Sequence, residues 1–312
     1  MNYSTKNSIN NILFLKNIGI EEDSFQVIEK FFEEKDISQN TKNAIILDLK
    51  HFLKWFVDTD GQKFSFKRLI ADDVIQYRQH CSEVLKHKPS TINRRLINIK
   101  QFCTFAFQND ERNKNSIKKI KLLGFERLAP NRIEKSKLRA LIKEVKLRAN
   151  SNKKYIRDVL IIELMCRAGL RVSEVVNLTV DDISIRDRKG ELTIRNSKRN
   201  KTREVPLSGY LIDLINEYIK IFNPSDYLVL GQRGRLTPIA VNKLIEVYAK
   251  KVGIKLSPHA LRHAFAYNYL EQNPNDIVGL RDLLGHRDLN TTAIYTRHSL
   301  DTLQERVEKI VY

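Results

Sequence analysis

The helical spacing of apolar residues is the feature that most restricts the first third of this chain. Thr41–Phe56 carries six apolar side chains at the spacing of one helix face: Ile45, Ile46, Leu49, Phe52, Leu53 and Phe56. Asp72–Leu85 and Ser90–Phe107 repeat this spacing, with Ser90 as an expected helix N-cap. A shorter apolar segment lies at Phe25–Phe32. These four helices predict a bundle with its own hydrophobic core.

After residue 150 the pattern becomes mixed. Tyr155–Ala168 reads as an apolar helix, and three short strands are predicted at Ile183–Arg186, Glu191–Arg195 and Arg203–Leu207. Helices are predicted again further along the chain, at Leu211–Phe222, Ile239–Lys250, Pro258–Leu270 and Ile277–Leu284. The sequence therefore predicts a mainly α fold with a small antiparallel β-sheet, divided into a helical bundle and a mixed α+β domain.

The length of 312 residues is typical of about two domains. A segment that begins NKNSIKKIKLLGFERLAPNR has weak periodicity and contains a Gly and a Pro, which is typical of a linker. We expect an N-terminal extension at 1–20, a helical bundle at 21–112, a basic linker at 113–132 and the mixed domain at 133–312.

The chain is strongly basic, with 55 Lys and Arg against 37 Asp and Glu, a net charge of +18. Such a surplus indicates a polyanionic partner, nucleic acid first and an acidic membrane surface second. We expect phosphate contacts from the linker residues Lys118, Lys119 and Lys121. A second basic group near the start of one helix is either a groove-facing patch or a solvated face: Lys86, Lys88, Arg94 and Arg95.

The three cysteines are far apart in the sequence and form no CxxC pair, which indicates a reducing compartment. The N-terminus lacks the features of a signal peptide, and no apolar run approaches the roughly 20 residues of a membrane span. These observations argue against a secreted or membrane-spanning protein. We expect a cytoplasmic, nucleoid-associated one.

Five motifs follow one another in the second half of the chain: GLRVSE (169–174), SKRNKTREVPL (197–207), SPHALRHAF (257–265), LLGHRDL (283–289) and TTAIYT (291–296). This series resembles the tyrosine recombinase (phage integrase) family, and its Xer-like branch most closely. The motifs stand in the family's order and at its spacings. The first half resembles the family only by pattern, as the helical core-binding domain that precedes the catalytic domain.

The residue types in these motifs suit cleavage of a DNA phosphodiester without a metal ion. Arg171 and Arg262 can bind a phosphate, because a guanidinium stays charged and donates in a planar fork. A tyrosine nucleophile gives a covalent phosphotyrosine that conserves the bond energy for rejoining. We expect no cofactor and no metal site, since the acidic residues nearby are isolated in the sequence.

The resemblance implies a role for each of seven residues. Tyr295 is the nucleophile, Arg171 and Arg262 bind the non-bridging phosphate oxygens, and Lys198 protonates the 5′-oxygen leaving group, with Lys201 as the next candidate. Histidine and carboxylate roles complete the set: His259 binds the phosphate or assists proton transfer at Tyr295, His286 binds the phosphate and packs, and Glu174 supports the geometry of Arg171 and Lys198. His263 falls outside this pattern, and we expect a structural hydrogen bond from it.

The resemblance also implies partners. They are double-stranded DNA core sites and three further copies of the chain, in a homotetramer with one dimer on each of two sites. A second recombinase or an accessory protein is a further possibility, and no membrane partner is expected. An apolar stripe near the C-terminus fits either a helix exchanged between protomers or packing on its own domain: Leu300, Leu303, Val307 and Ile310.

The function implied is a site-specific DNA recombinase that works through a 3′-phosphotyrosine and a Holliday junction. Two alternatives remain at this point. The first is a topoisomerase-like nicking and resealing enzyme, which shares the chemistry without partner exchange. The second is a DNA-binding regulator that does not cut; the complete set of motifs argues against it, because such a protein needs no tyrosine at position 295.

Overall fold

The computed structural model describes residues 15–124, 129–187, 189–196, 201–232, 234–296 and 307–308. Chain contacts divide the protein into two units, Met1–Glu126 and Arg127–Tyr312. Most of the described secondary structure is helical, and the strands form small antiparallel sheets, as the sequence predicts. Among these residues, no helix combines the length and the apolar character needed to cross a membrane.

The described part of the N-terminal unit contains five α-helices: α1 (Glu22–Glu34), α2 (Gln39–Asp60), α3 (Ala71–Gln79), α4 (Pro89–Ala106) and α5 (Glu111–Lys119). A π-helical turn, His80–Val84, continues α3. The long helix α2 begins where the Ser38 side chain accepts a hydrogen bond from the Thr41 backbone N–H. It ends at Gly61, whose φ of 69° is a left-handed conformation that glycine adopts without strain.

Aromatic side chains from several elements form the core of this unit. The rings of Phe31 on α1 and Phe102 on α4 meet edge to face with centroids 5.2 Å apart. Phe56 on α2 meets Phe64 in the same way at 5.1 Å. Edge-to-face pairs place the positive ring edge against the negative ring face, so they add a directional attraction to the burial of apolar surface.

Two predictions about the helix starts and the N-terminal boundary of this unit were wrong. Helix α4 begins with Pro89 after Lys88, so Ser90 lies inside its first turn and does not cap it. The predicted extension at 1–20 includes core structure, because Leu15 is fully buried and Ile20 forms a parallel bridge with Phe64. Residues 1–14 lie outside the described part of the chain.

The predicted linker also begins too early. Its first residues form the end of α5, and Ile117 packs into the core of the bundle. The chain that follows is held by side chains: Asn93 exchanges two hydrogen bonds with the backbone of Leu123, at 2.7 and 2.8 Å, and Lys100 donates to the Ile120 carbonyl at 2.8 Å. Polar anchors on α4 therefore fix residues 120–123 to the bundle, and a pattern of apolar residues does not reveal such anchors.

The C-terminal unit combines helices with a three-stranded sheet. The described helices are α6 (Lys135–Ser151), α7 (Ile156–Arg167), α8 (Val172–Asn177), α9 (Gly209–Phe222), α10 (Pro238–Lys251), α11 (Pro258–Gln272), α12 (Ile277–Leu284) and α13 (Asn290–Ala293). The strands are β1 (Ile183–Arg186), β2 (Lys189–Asn196), β3 (Lys201–Leu207), and the short β4 (Leu230–Gly231) and β5 (Gly234–Arg235). The predicted strands and helices are thus found within a few residues of their predicted ends.

The sheet has the order β1-β2-β3, and each neighbouring pair is antiparallel. Leu192 of β2 pairs with Ile183 of β1 and with Val205 of β3. Helix α7 lies at the centre of the unit and is buried on almost every side, from Ile156 to Cys166. Because α7 is buried all round, the turn that follows it is fixed in place, and that turn carries Arg171.

Asp48 is a buried carboxylate in the N-terminal bundle, and it interacts with two of the predicted DNA-binding arginines. Its oxygens accept hydrogen bonds from Arg94 and from Asn98, the latter at 2.7 Å, and Arg95 Nε lies 3.7 Å away. The Arg95 side chain is only 14% exposed, whereas that of Arg94 is 51% exposed. Arg95 is therefore part of a buried ion cluster and not of an exposed basic patch.

We expect Asp48→Ala to destabilise the N-terminal unit by about 3 kcal/mol, because Arg95 would keep a buried charge without its partner. The protein has one tryptophan, Trp55, and it lies on α2. Its fluorescence therefore follows the unfolding of this unit in urea. Asp58→Ala, an exposed position on the same helix, is the matched control and should change stability by no more than about 0.5 kcal/mol. Equal shifts in the two variants would contradict the assignment.

Candidate active site

The turn after α7 brings Arg171 to the position from which the site is built. Gly169 has a φ of 63°, and a Cβ atom there would lie 2.5 Å from the Phe265 ring, so only glycine fits. Its carbonyl accepts a hydrogen bond from Arg262 Nη1 at 2.6 Å. Arg171 follows immediately, at the N-terminus of α8, with its side chain 32% exposed. The turn thus presents one arginine and anchors another.

Glu174 on α8 is the centre of a cluster of arginines. Its carboxylate accepts hydrogen bonds from Arg171 Nη1 at 2.7 Å and from the Arg171 backbone N–H at 2.8 Å. Arg203 on β3 donates to both oxygens, at 2.9 and 2.8 Å. Arg262 Nη1 lies 3.6 Å away. One carboxylate therefore orients two guanidinium groups through hydrogen bonds and lies close to a third, and the three come from separate elements.

The charge of this cluster is visible in its pKa values. Burial favours the neutral form of Glu174, but the hydrogen bonds and charge of Arg203 and Arg171 outweigh it and lower the pKa to about 2. Burial and the nearby charge of Arg171 lower the pKa of Arg262 to about 9, although Glu174 opposes the shift. Three positive groups share one negative group, so the site carries a surplus of positive charge that suits an anion.

Arg262 lies on α11 and is almost fully buried, with 3% of its surface exposed. Besides the Gly169 carbonyl, the Leu284 carbonyl at the end of α12 accepts a hydrogen bond from its Nη2 at 2.5 Å. Two of its five N–H groups are thereby held by backbone oxygens. The helix α11 itself begins at Ser257, whose side chain accepts from the Ala260 N–H, with Pro258 in the first turn.

Two predicted histidines lie near these arginines. His259 is exposed at the start of α11, and partial burial and the charges of Arg262 and Arg171 lower its pKa. His286 follows α12, and its Nδ1 is 3.0 Å from the Thr292 hydroxyl. Burial and the same two arginines lower the pKa of His286 to about 4. Both rings are therefore neutral near pH 7 and can donate one N–H each.

Tyr295 lies in a 3₁₀ turn, Ile294–Thr296, and only 7% of its surface is exposed. Its hydroxyl is 2.7 Å from Nδ1 of His263. The ring of Tyr267 meets its ring edge to face at 5.3 Å, and Leu284 belongs to the same apolar cluster. The Leu284 carbonyl also accepts a hydrogen bond from Arg262, so Leu284 connects Tyr295 with the arginine cluster.

The structure therefore brings together six of the seven residues predicted for the site. The seventh, Lys198, lies outside the described residues. The strand ends on either side of it are described, and Asn196 of β2 pairs with Lys201 of β3.

Comparison with known proteins agrees with this geometry. Residues 131–301 match the model of the phage integrase family, and residues 26–110 match the N-terminal SAM-like domain of phage integrases. The tyrosine recombinase XerA of Pyrococcus furiosus is 31% identical over 289 residues, which cover 91% of this chain and 93% of XerA.

The chain belongs to the phage integrase family. It is 29% identical to the tyrosine recombinase XerD of Staphylococcus epidermidis over 89% of this chain and 96% of XerD, so the Xer-like branch is supported. A crystal structure of the XerH site-specific recombinase bound to a palindromic difH substrate has the same fold, with a TM-score of 0.70 and 22% identity. That match covers 87% of this chain and 79% of XerH. The chain is a DNA strand-cleaving and rejoining enzyme of the tyrosine recombinase type.

Sequence reasoning missed Arg203 in this phage integrase site. Its Nε donates to the Leu283 carbonyl at 2.9 Å while its two terminal nitrogens hold Glu174. Gly285 is packed against it, since a Cβ there would lie 2.9 Å from Arg203 Nη1. The signal was present in the strand pattern: Arg203 shares a face of β3 with the buried Val205 and Leu207. A charged residue on the apolar face of a strand calls for a buried partner.

The predicted DNA-binding lysines of the N-terminal unit are exposed in the structure: Lys86, Lys88, Lys118, Lys119 and Lys121. Lys86 has a φ of 49°, an uncommon left-handed conformation for a residue with a side chain, in the short connection before α4. These lysines are free to reach an external polyanion, in contrast to Arg95.

We expect Arg203→Lys to lower the rate of DNA cleavage by about 10²-fold with little loss of DNA binding, because lysine cannot hold both oxygens of Glu174 and the Leu283 carbonyl together. The rate of covalent complex formation in a single turnover and a gel shift measure the two effects. Arg157→Lys is the matched control, since Arg157 also joins a carboxylate (Asp158) and a carbonyl (Leu230) in the same unit. Equal losses in the two variants would rule out a specific role for Arg203.

Proposed function

We propose that the protein recombines DNA at specific sites by cleaving each strand with Tyr295, which forms a 3′-phosphotyrosine, and by resolving a Holliday junction. The observation that carries this proposal is the convergence of a buried tyrosine hydroxyl with three arginines around one carboxylate. A phosphodiester supplies the negative charge that offsets the excess positive charge of the arginines, and the tyrosine supplies the nucleophile.

In this proposal Arg171 and Arg262 bind the two non-bridging oxygens of the scissile phosphate. Arg262 is fixed by two carbonyls before DNA arrives, while Arg171 keeps a partly exposed side chain. Donors that are oriented in advance stabilise the charge of the phosphorane without a reorganisation cost at the moment of reaction. Glu174 orients Arg171 through two hydrogen bonds, and it does not touch the phosphate itself.

The remaining roles concern protons and further phosphate contacts. His259 and His286 are neutral by virtue of their lowered pKa values, so each donates a single N–H to the phosphate oxygens. Lys198 protonates the 5′-oxygen as it leaves. In the sequence it lies between β2 and β3, whose ends pair at Asn196 and Lys201.

We further propose that double-stranded DNA core sites are the partner and that four protomers, two on each site, assemble for strand exchange. The net charge of +18 and the exposed lysines of the N-terminal unit supply phosphate contacts. The C-terminal stripe is proposed to pack on a neighbouring protomer. Of its four apolar residues the structure describes Val307, which is exposed, and the other three lie outside the described part.

We expect Tyr295→Phe to bind core-site DNA nearly normally and to form no covalent adduct, because only the nucleophilic oxygen is removed. A nicked suicide substrate and a denaturing gel detect the adduct. Tyr267→Phe is the matched control, since its ring packs on Tyr295 while its hydroxyl only donates to the Pro130 carbonyl. That variant should still form the adduct. An adduct that persists in Tyr295→Phe would refute the proposed nucleophile.

Lys198→Ala should slow cleavage severely, and a substrate with a 5′-bridging phosphorothiolate should restore much of the rate. Sulfur leaves without protonation, so the loss of a general acid matters less with this substrate. The same substrate should not restore Arg171→Ala, which lacks a phosphate contact. If Lys198→Ala is not restored, or if both variants are restored equally, another residue is the acid, with Lys201 the next candidate.

A further inference from the structure

His263 was expected to make only a structural hydrogen bond, yet it contacts the proposed nucleophile. Its Nδ1 lies 2.7 Å from Tyr295 Oη, and the two rings are 5.6 Å apart with their planes tilted by 53°. In the tautomer with the proton on Nε2, Nδ1 is an acceptor and the phenol O–H is the donor. The contact therefore already has the geometry of a proton transfer.

We propose that His263 is the general base of strand cleavage, which removes the proton from Tyr295. This inference rests on the proposed function of Tyr295. As the bond from Oη to phosphorus forms, the phenol proton passes to Nδ1 and the bond from phosphorus to the 5′-oxygen breaks. The leaving oxygen takes its proton from the separate general acid. In the rejoining step the His263 imidazolium returns the proton to Oη, so the cycle balances.

The placement of His263 on α11 supports this assignment. His259, Arg262 and His263 stand at positions i, i+3 and i+4, so they share one face of the helix. The centroids of the two histidine rings are 6.1 Å apart. The first histidine is exposed at the helix start, whereas the second is half-buried against Tyr295. One face of α11 thus carries the proposed phosphate ligand His259, then Arg262, and then the proposed proton acceptor His263.

The surroundings keep this imidazole ready to accept a proton. Burial and the neighbouring His259 and Arg262 lower the pKa of His263 below the ordinary histidine value, so the ring is neutral near pH 7. His286, which follows α12, and Tyr295 are further titratable groups near His263, and Tyr267 packs on Tyr295. Burial raises the pKa of Tyr295, so its hydroxyl stays protonated until an acceptor takes the proton.

The test is the single-turnover rate of adduct formation as a function of pH, on the 5′-bridging phosphorothiolate substrate, which removes the need for a general acid. In the unmodified protein the rate should fall as pH decreases through the pKa of His263, because a protonated ring cannot accept. His263→Asn keeps a hydrogen-bond acceptor without a titratable base. It should bind DNA normally, react about 10²-fold more slowly and lose the fall at low pH.

His259→Asn separates the two histidines, since it should slow the reaction but retain the fall at low pH. If His263→Asn reacts at the normal rate with the normal pH profile, or if the fall is lost in His259→Asn instead, His263 is not the base. Should His263→Asn fail to bind DNA, the unmodified protein still decides: a rate independent of pH below neutrality overturns the inference. The proposed function fails separately, if Tyr295→Phe still forms the adduct.

Discussion

The carboxylate of Glu174 is the interaction on which the rest of the site depends. Three guanidinium groups approach it from α8, β3 and α11, and without it their mutual repulsion would not be offset. Burial alone would neutralise a carboxyl group, but here the arginines keep it ionised with a pKa of about 2. The three arginines can lie close together because they share the negative charge of Glu174. The cluster attracts anions because that single negative charge does not balance three positive charges.

Elements distant in the sequence meet at this carboxylate, and two glycines make the meeting possible. Gly169 fits against the Phe265 ring while its carbonyl accepts a hydrogen bond from Arg262, and Gly285 leaves room for the Arg203 side chain. Both have positive φ, so a side chain at either position would add strain as well as a clash. The two motifs that contain these glycines are therefore needed for the geometry of the arginine cluster as well as for the polar side chains that they contribute.

How much of this structure the sequence predicts depends on where each residue finds its interaction partners. Apolar spacing located the helices and strands, and the resemblance to the phage integrase family, together with the chemistry of phosphate cleavage, pointed to Arg171, Arg262 and Tyr295. Arg203 and Arg95 were missed or misplaced because their partners, Glu174 and Asp48, lie on other elements. Each nevertheless shares a face with buried apolar residues. Inward-facing charges are therefore the sequence signal to examine, although the sequence does not reveal which carboxylate they meet.

The buried setting of Tyr295 would also keep the proposed nucleophile unreactive without DNA. Its pKa is raised by burial, so the phenolate is disfavoured even with a neutral histidine at 2.7 Å. Proton transfer becomes favourable only if the negative charge left on the tyrosine oxygen is taken up by the forming bond to phosphorus. That bond requires a phosphate held by the arginines. In the proposed mechanism, the buried setting that suppresses the tyrosine therefore makes its activation depend on the substrate, and phosphate binding by the arginines links the two events.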